Sequence, residues 1–594
     1  MSDLSGGLLR HGAPEPTRFI APDRRANLAR QRRMSRRIFT GATLTTLASA
    51  GVLGTAPALA DSSWRHRDPF TLGIASGDPT SSSVVLWTRL AVDPHVLDGR
   101  GGMPSTPVPV RWELATDERF RSIVRRGTET ARPEEAHSLH IELEDLPAGT
   151  EFFYRFRTGR HISPVGRTLT TPASGDTRAL RMVHLSCSHW EGGWFTAYRR
   201  AAEDRPDLVF GLGDYIYEGG PGTGKLRTHP HKLCTTLEDY RLRYATYKTD
   251  PDLQLLHATA PWIVTWDDHE IQDNWAGEYP KNGVPTDAWV ARKVAAQQAY
   301  YENMPLRRSS APAGTSMQLF RRLHWGDLAS FHVLDTRQYR DLQACHDGGK
   351  TWWFTDCEEQ TDPSRTLLGD TQEQWLLEGM TSSPATWQLL AQSVFFAKRD
   401  NAAGPATTLG SDGWDGYRAD RDTLVDAWSE RGITNPVVLT GDVHVHFANE
   451  LKADFWEPDS PTVGVELVAT SITSGGDGSE VVNGEQEVYA ENPHIKYIRG
   501  RRGYVLSEYT TEELRVDFKT VSAVTTPDAE VSVDRTFVVP AGEPGLHGCC
   551  SASVMSDPVA LSPTGSGITL QTPPCRTLQI TSPAPVRHAQ VPVE

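Results

Sequence analysis

Met182-Val183-His184-Leu185-Ser186-Cys187 and Asp207-Leu208-Val209-Phe210-Gly211-Leu212-Gly213-Asp214-Tyr215-Ile216-Tyr217-Glu218 are the stretches that decide the fold. Each is a short apolar run that ends abruptly in polar residues. Strands buried on both faces read this way, as nearly continuous apolar runs. Between them, Phe195, Tyr198 and Ala202 share one face of a predicted helix. Strand, helix and strand in this order make a βαβ unit with parallel strands. Further strands are predicted to end at Thr265, Leu334 and Thr440. Helices are predicted over 290–303, 370–379 and 419–431, the second opening on a capping-box-like Asp370 and Glu373. The main body is therefore α/β, with functional side chains expected at strand ends.

Upstream, residues 66–170 read as a small β domain. Ser83-Val84-Val85-Leu86-Trp87-Thr88, Val108–Leu114, His140–Leu143 and Phe152–Phe156 are short alternating or apolar runs separated by turn residues such as Pro147-Ala148-Gly149. The pattern predicts an immunoglobulin-like or fibronectin-like β-sandwich. Pro172–Thr177, small and polar, is the predicted linker into the body over 178–540. Residues 541–594, rich in Pro, Ser, Thr and Cys, read as an irregular tail, and no internal repeat is visible.

The N-terminus carries an address. Arg36-Arg37 precedes a mildly apolar run from Gly41 to Leu53, and Ala58-Leu59-Ala60 has the small-x-small form of a cleavage site. Residues 1–60 are read as a twin-arginine signal cleaved after Ala60, with the export machinery as a partner and a secreted or periplasmic, cell-wall-associated destination. The apolar run is too short and too rich in Gly, Thr and Ala for a stable membrane anchor. Met34, just before the signal, is an alternative start. Export permits disulfides among the seven cysteines, and Cys345 with Cys357, flanking a polar insertion, is the pair expected.

Composition narrows the function. The net charge is −15, and −21 once residues 1–60, with nine Arg and three acidic residues, are set aside. An acidic body argues against a nucleic-acid partner and against docking on anionic lipid. A phosphate ester can still bind if metal ions supply local positive charge.

Four segments share one design, an apolar strand ending in metal-ligand residue types: Ser186-Cys187-Ser188-His189; Gly213-Asp214-Tyr215-Ile216-Tyr217-Glu218; Trp266-Asp267-Asp268-His269-Glu270 followed by Asp273-Asn274; and Gly441-Asp442-Val443-His444-Val445-His446. One Gly-Asp after a strand is more often a turn. Four such clusters in one domain bring together carboxylates that would repel strongly without cations between them. No P-loop and no Gly-x-Ser-x-Gly nucleophile elbow is present.

The order of these segments resembles the metallophosphoesterase plan. The spacing of Asp214 to Tyr217 resembles purple acid phosphatases, whose tyrosinate binds ferric iron. Together with Leu334-Asp335-Thr336-Arg337, Leu368–Leu376, Asn492–Tyr497 and Gly73–Pro79, the set resembles the PhoD-like alkaline phosphatases. That resemblance implies a four-layer core, two packed sheets flanked by helices. It implies Fe(III) at Cys187, Tyr217 and His444, with Asp214 bridging, and Ca(II) at Asp268, Asn274 and Asp442. Anionic thiolate and phenolate suit iron, and hard oxygen donors suit calcium. His269 and Arg337 are the candidate catalytic side chains, although Arg337 reads equally well as a structural partner of Asp335. The implied activity is hydrolysis of phosphate mono- and diesters by in-line attack of a metal-activated water. The alternatives are an iron-dependent phospholipase D and a non-catalytic calcium-binding extracellular protein.

Overall fold

The computed structural model describes residues 63–457 and 459–548. The expected signal over 1–60 and Cys549, Cys550 and Cys575 lie outside the described residues.

Two large sheets carry the body. In the first, Leu180–Leu185, Leu208–Leu212 and Trp262–Thr265 run parallel, with Val209 opposite both Val183 and Trp262. Gly503–Tyr509 flanks Leu180–Leu185 antiparallel, followed by Glu513–Val521, Val531–Pro540 and His547–Gly548. The second sheet orders Arg321–Trp325, Ala329–Val333, Trp387–Ala391, Pro436–Thr440, Thr462–Val468, His446–Lys452 and Ile495–Arg499.

Alternate residues of each strand face opposite layers, as pleating requires. Met182, Phe210, Leu212 and Ile263 of the first sheet meet Phe331, Leu389, Leu439 and Leu467 of the second in one core. Their neighbours Val183, Val209 and Val264 pack outward on the helices Thr196–Glu203, Leu237–Lys248, Pro251–Thr259 and Asp287–Asn303. On the far side, Leu390, Val438 and Val468 pack under Asp370–Ser382 and Arg418–Glu430. This is the helix–sheet–sheet–helix order expected. Each such side chain contributes roughly 1.5–3 kcal/mol by leaving water, which is why these strands read as unbroken apolar runs.

One local reading is corrected. Asp370 is the first helical residue, and Gly369, at φ 71°, takes the N-cap with no side-chain cap bond. The reciprocal capping box lies elsewhere, between Thr236 and Asp239. The N-terminal segment forms two β layers around a core of Val84, Leu86, Ile141, Val110, Leu114 and Phe156. One layer is the sheet of Val108–Ala115, Ile123–Ala131, Glu151–Thr158, His161–Ile162 and Gly166–Leu169. The other, Ile74–Gly77, Val84–Arg89 and Ser138–Leu143, continues the first large sheet, joined where Gly77 pairs parallel with Trp262. Cys345 and Cys357 form the expected disulfide.

Candidate metal centre

The parallel strands end at one edge, where the two sheets close on each other. Gly441 sits so tightly that an added Cβ would lie 2.5 Å from Ser186 Oγ, and at Gly213 one would lie 2.4 Å from Asp267 Cβ. Cys187 N–H donates to the Gly213 carbonyl at 3.2 Å, and Ser188 N–H to that of Asp214 at 2.9 Å. The chain turns sharply as each strand ends. Cys187, Asp214, Asn274, Asp442 and His444 all have φ between 50° and 62°. The left-handed region costs a non-glycine residue on the order of 1–3 kcal/mol and collects at functional sites. Five of the seven expected metal ligands share it, so tertiary structure forces these side chains together.

They form two adjoining groups. One ligand atom each of Cys187, Asp214 and His444 lies within 4.8 Å of the others. Tyr217 Oη completes this group. It donates to Asp214 Oδ2 at 2.7 Å, is 3.0 Å from His444 Nε2, and accepts from Ser474 Oγ at 2.6 Å. Arg502 holds the His444 carbonyl from Nη1 at 2.5 Å. Asp214, Asp268 and His269 form the second group, again within 4.8 Å. Asp214 therefore stands between the two, as a bridging carboxylate must. Asn274 N–H donates to Asp268 Oδ2 at 2.6 Å. Asp442 lines a cavity of about 160 Å³ together with Asn274 and Asp412.

The donor set fits cations. The Asn274 amide lies between the Asp268 and Asp412 carboxylates, to which its nitrogen donates at 3.1 and 3.2 Å, and the Trp352 indole, from which its oxygen accepts at 3.2 Å. Asp267 Oδ2 is buried without a partner. Burial, with Asp214 close by, pushes the Cys187 thiol and the Tyr217 phenol well above their ordinary ranges. Burial and neighbouring carboxylates likewise raise Asp268 and Asp442, and hold Glu270 at about 8. At Asp214, His269 and His444 outweigh burial and keep the carboxyl low. A bound cation removes the penalty on every anionic donor at once.

These shifts predict how the metal-stripped protein behaves. A carboxyl with a raised folded-state pKa binds its proton more tightly when folded, so stability falls as pH rises from the unfolded value. His269, also raised, adds to the loss, while Asp214, Glu218 and Asp412, held low, and the lowered His189 and His229 oppose it. The Tm lost on chelation should therefore grow from about pH 4 to about pH 8, the value reached by Glu270, because bound cations take the place of protons on the raised donors. Parallel curves with and without chelator would show that no cation neutralises these carboxyls.

The two catalytic candidates separate. His269 lies beside the centre. Its Nδ1 bonds Glu218 Oε2 at 2.7 Å, and its ring is 4.2 Å from that of Tyr217. Burial alone would discharge it, but Asp268, Glu218 and Asp214 together raise it well above the usual histidine range. Arg337 is fully buried, and its fork is taken. Nε donates to Asp267 at 2.6 Å, and Nη1 and Nη2 to Asp412 at 3.0 and 2.9 Å. Asp335 instead accepts the backbone N–H groups of Arg337 and Gln338. The guanidinium thus holds two carboxylates behind the centre rather than facing a substrate, and its side-chain partner is not Asp335.

Sequence reasoning missed several supports. Glu270 accepts the N–H groups of Asp214, Tyr215 and Asp267, tying two ligand segments together. Asp412 and Ser474 lie outside any strand-end motif. His189 and His229 gather with Glu191 beside the Tyr217 ring, but Glu191 is engaged by the N–H groups of Gly222 and His229. His446 is buried in the second sheet, 3.2 Å from the Val468 carbonyl.

Comparison with known proteins agrees with this geometry. The PhoD-like phosphatase family profile matches residues 182–518, and the profile of the family's N-terminal domain matches 54–172. Alkaline phosphatase D of Bacillus subtilis (strain 168) is 48% identical over 492 residues, covering 82% of this chain and 83% of that one. A solved structure titled "Structure of PhoD" superposes with a TM-score of 0.79 at 47% identity, covering 82% of this chain and 94% of the other. The chain belongs to the PhoD-like phosphatase family, and its reaction class is the metal-dependent hydrolysis of phosphate esters.

Proposed function

We propose that hydrolysis runs at a mixed centre. Fe(III) is held by Cys187, Tyr217, His444 and the bridging Asp214, and Ca(II) by Asp268, Asn274 and Asp442. The observation that carries this reading is the convergence of a thiol, a phenol and an imidazole on one side of Asp214, with the Asp268 carboxylate, beside His269 and Asn274, on the other. Thiolate and phenolate favour a trivalent, redox-capable ion, and an all-oxygen set favours calcium. When bound, the cations neutralise the phosphoryl oxygens and make water acidic enough to attack.

The protein's own groups do the rest. In the metal-free protein neighbouring carboxylates raise His269, and its Nδ1 is committed to Glu218. Nε2 is therefore the atom that donates to the leaving oxygen. Ser474 and Arg502 fix Tyr217 and His444 from behind. Arg337 positions Asp267 and Asp412. We read 178–540 as the catalytic body and 66–170 as an N-terminal β-sandwich that shares a sheet with it.

The test is reconstitution. Metal-free protein should be inactive on a phosphomonoester, a phosphodiester and phosphatidylcholine. Calcium added to iron-loaded protein should restore the first two better than zinc does. Full activity in excess chelator, with no calcium by metal analysis, sinks the proposal. Turnover of phosphatidylcholine alone would replace it with a phospholipase D.

Export is the other part of the reading, supported by Arg36-Arg37 and the small-x-small Ala58-Leu59-Ala60. Changing both arginines to lysine should trap full-length precursor in the cytoplasm. Unchanged secretion of that double variant rules out the twin-arginine route. Among the described residues no helix is long and apolar enough to cross a membrane.

A further inference from the structure

The cavity beside the centre is lined not only by Asn274 and Asp442 but also by Trp352, Trp353, Phe395 and Arg399. Arg399 is unlike the arginines around it. Arg337 and Arg340 pair with Asp412, and Arg421 with Asp415. Among the described residues no carboxylate forms an ion pair with the Arg399 guanidinium, and its Nε is buried without a partner. Asp415, close by, is already committed to Arg421 and to the Arg399 backbone N–H. Burial lowers the pKa of the guanidinium and outweighs the more distant pull of Asp415, Asp442 and Glu466, none of which pairs with it directly.

Its contacts are aromatic instead. The guanidinium carbon lies 4.6 Å from the Phe395 ring centroid and 4.8 Å from that of Trp353. Stacking uses the faces of the group and leaves its N–H edge available for an anion. The wall is rigid. Trp352 and Trp353 lie inside the loop closed by Cys345–Cys357. Trp353–Thr355 pairs with Thr408–Gly410, and Ser411 N–H donates to the Trp352 carbonyl at 2.8 Å.

Arg399 is half-buried with no carboxylate paired to it, a placement that costs desolvation and that a ligand anion entering the cavity would offset. Resting on the centre proposed above, we propose that this cavity is the leaving-group subsite and that Arg399 binds a second anionic group there. The preferred substrates are then phosphate esters whose leaving alcohol itself carries a phosphate. The reacting phosphoryl group sits on the metal side, at Asn274 and Asp442, and the second anion on the Arg399 edge.

Two compounds that differ only in that second phosphate test this: propane-1,3-diyl bisphosphate and propane-1,3-diol monophosphate, followed by release of inorganic phosphate. A hydrogen-bonded charge pair of this kind is worth roughly 1.5–3 kcal/mol, about tenfold or more in kcat/KM. The wild type should favour the bisphosphate by at least that factor. Arg399→Gln should lower kcat/KM for the bisphosphate about tenfold more than for the monophosphate, and Arg399→Lys should keep part of the preference. Equal wild-type kcat/KM values, or a preference that survives Arg399→Gln, overturn the subsite. So does a wild-type preference for phenyl phosphate over the bisphosphate, which would make the indoles the recognising surface. If Arg399→Gln does not fold, the wild-type ratio still decides. No phosphate release from either compound would overturn the reading of the centre, and the subsite with it.

Discussion

Tyr217→Phe should bleach the purified protein and cut its turnover by at least about 100-fold. A phenolate on Fe(III) gives a charge-transfer band in the visible, so wild-type protein should be coloured. The substitution removes one oxygen and keeps the ring, which packs 4.2 Å from His269 and 4.6 Å from His189. Folding should change little. Loss of a group that merely orients a ligand costs 10–100-fold, and loss of a ligand costs at least as much. Tyr215→Phe is the matched control. Its hydroxyl is 2.8 Å from His257 Nε2 and accepts from Lys248 Nζ at 3.0 Å, away from the centre. Removing it leaves the buried Lys248 amine without that acceptor and should cost about 1–3 kcal/mol of stability while the colour stays. If Tyr217→Phe keeps both band and rate, the phenolate is not a ligand. If only Tyr215→Phe loses them, the assignment is off by two residues.

Arg337→Met should produce the largest loss of stability, about 3–5 kcal/mol. The side chain is fully buried, and three of its nitrogens donate to Asp267 and Asp412. Methionine fills much of the space but leaves two buried carboxylates facing each other across a low-dielectric gap. Denaturant unfolding of metal-loaded protein reads this directly. A variant with unchanged midpoint and a raised KM would instead restore the substrate-binding role that the sequence suggested for Arg337.

The case of Arg337 shows what a sequence can and cannot supply. Its motif is visible, because Leu334-Asp335-Thr336-Arg337 follows a strand. Its partner is not, because Asp412 lies 75 positions away in an irregular segment between Thr408–Gly410 and the turn at Trp414–Tyr417. The ligand-bearing segments were legible for the opposite reason. Each follows a strand that must be apolar on both faces, so the change to Cys187, Asp214, Asp268 or Asp442 stands out. Glu270 sits within a visible motif, but its task, binding three backbone N–H groups, depends on where Asp214 and Tyr215 arrive in space. At Gly369 local chemistry suggested one cap and the chain adopted another, since a positive φ lets the helix begin without a side chain. The strands of 66–170 announced themselves by alternation. Their continuation of the larger sheet rests on a pairing between Gly77 and Trp262 that no local pattern encodes.

That pairing bears on how the protein is made. The strands of the first large sheet are not assembled in chain order. Ile74–Gly77 must wait for Trp262–Thr265, and Leu180–Leu185 keeps one side open until Gly503–Tyr509 has left the ribosome. Loop closure over such separations slows folding, and unpaired strand edges invite association in the meantime. Nearly the whole polypeptide must therefore be synthesised before the sheet can close, and a nascent chain halted before residue 503 is expected to be sticky, protease-sensitive and dependent on chaperones.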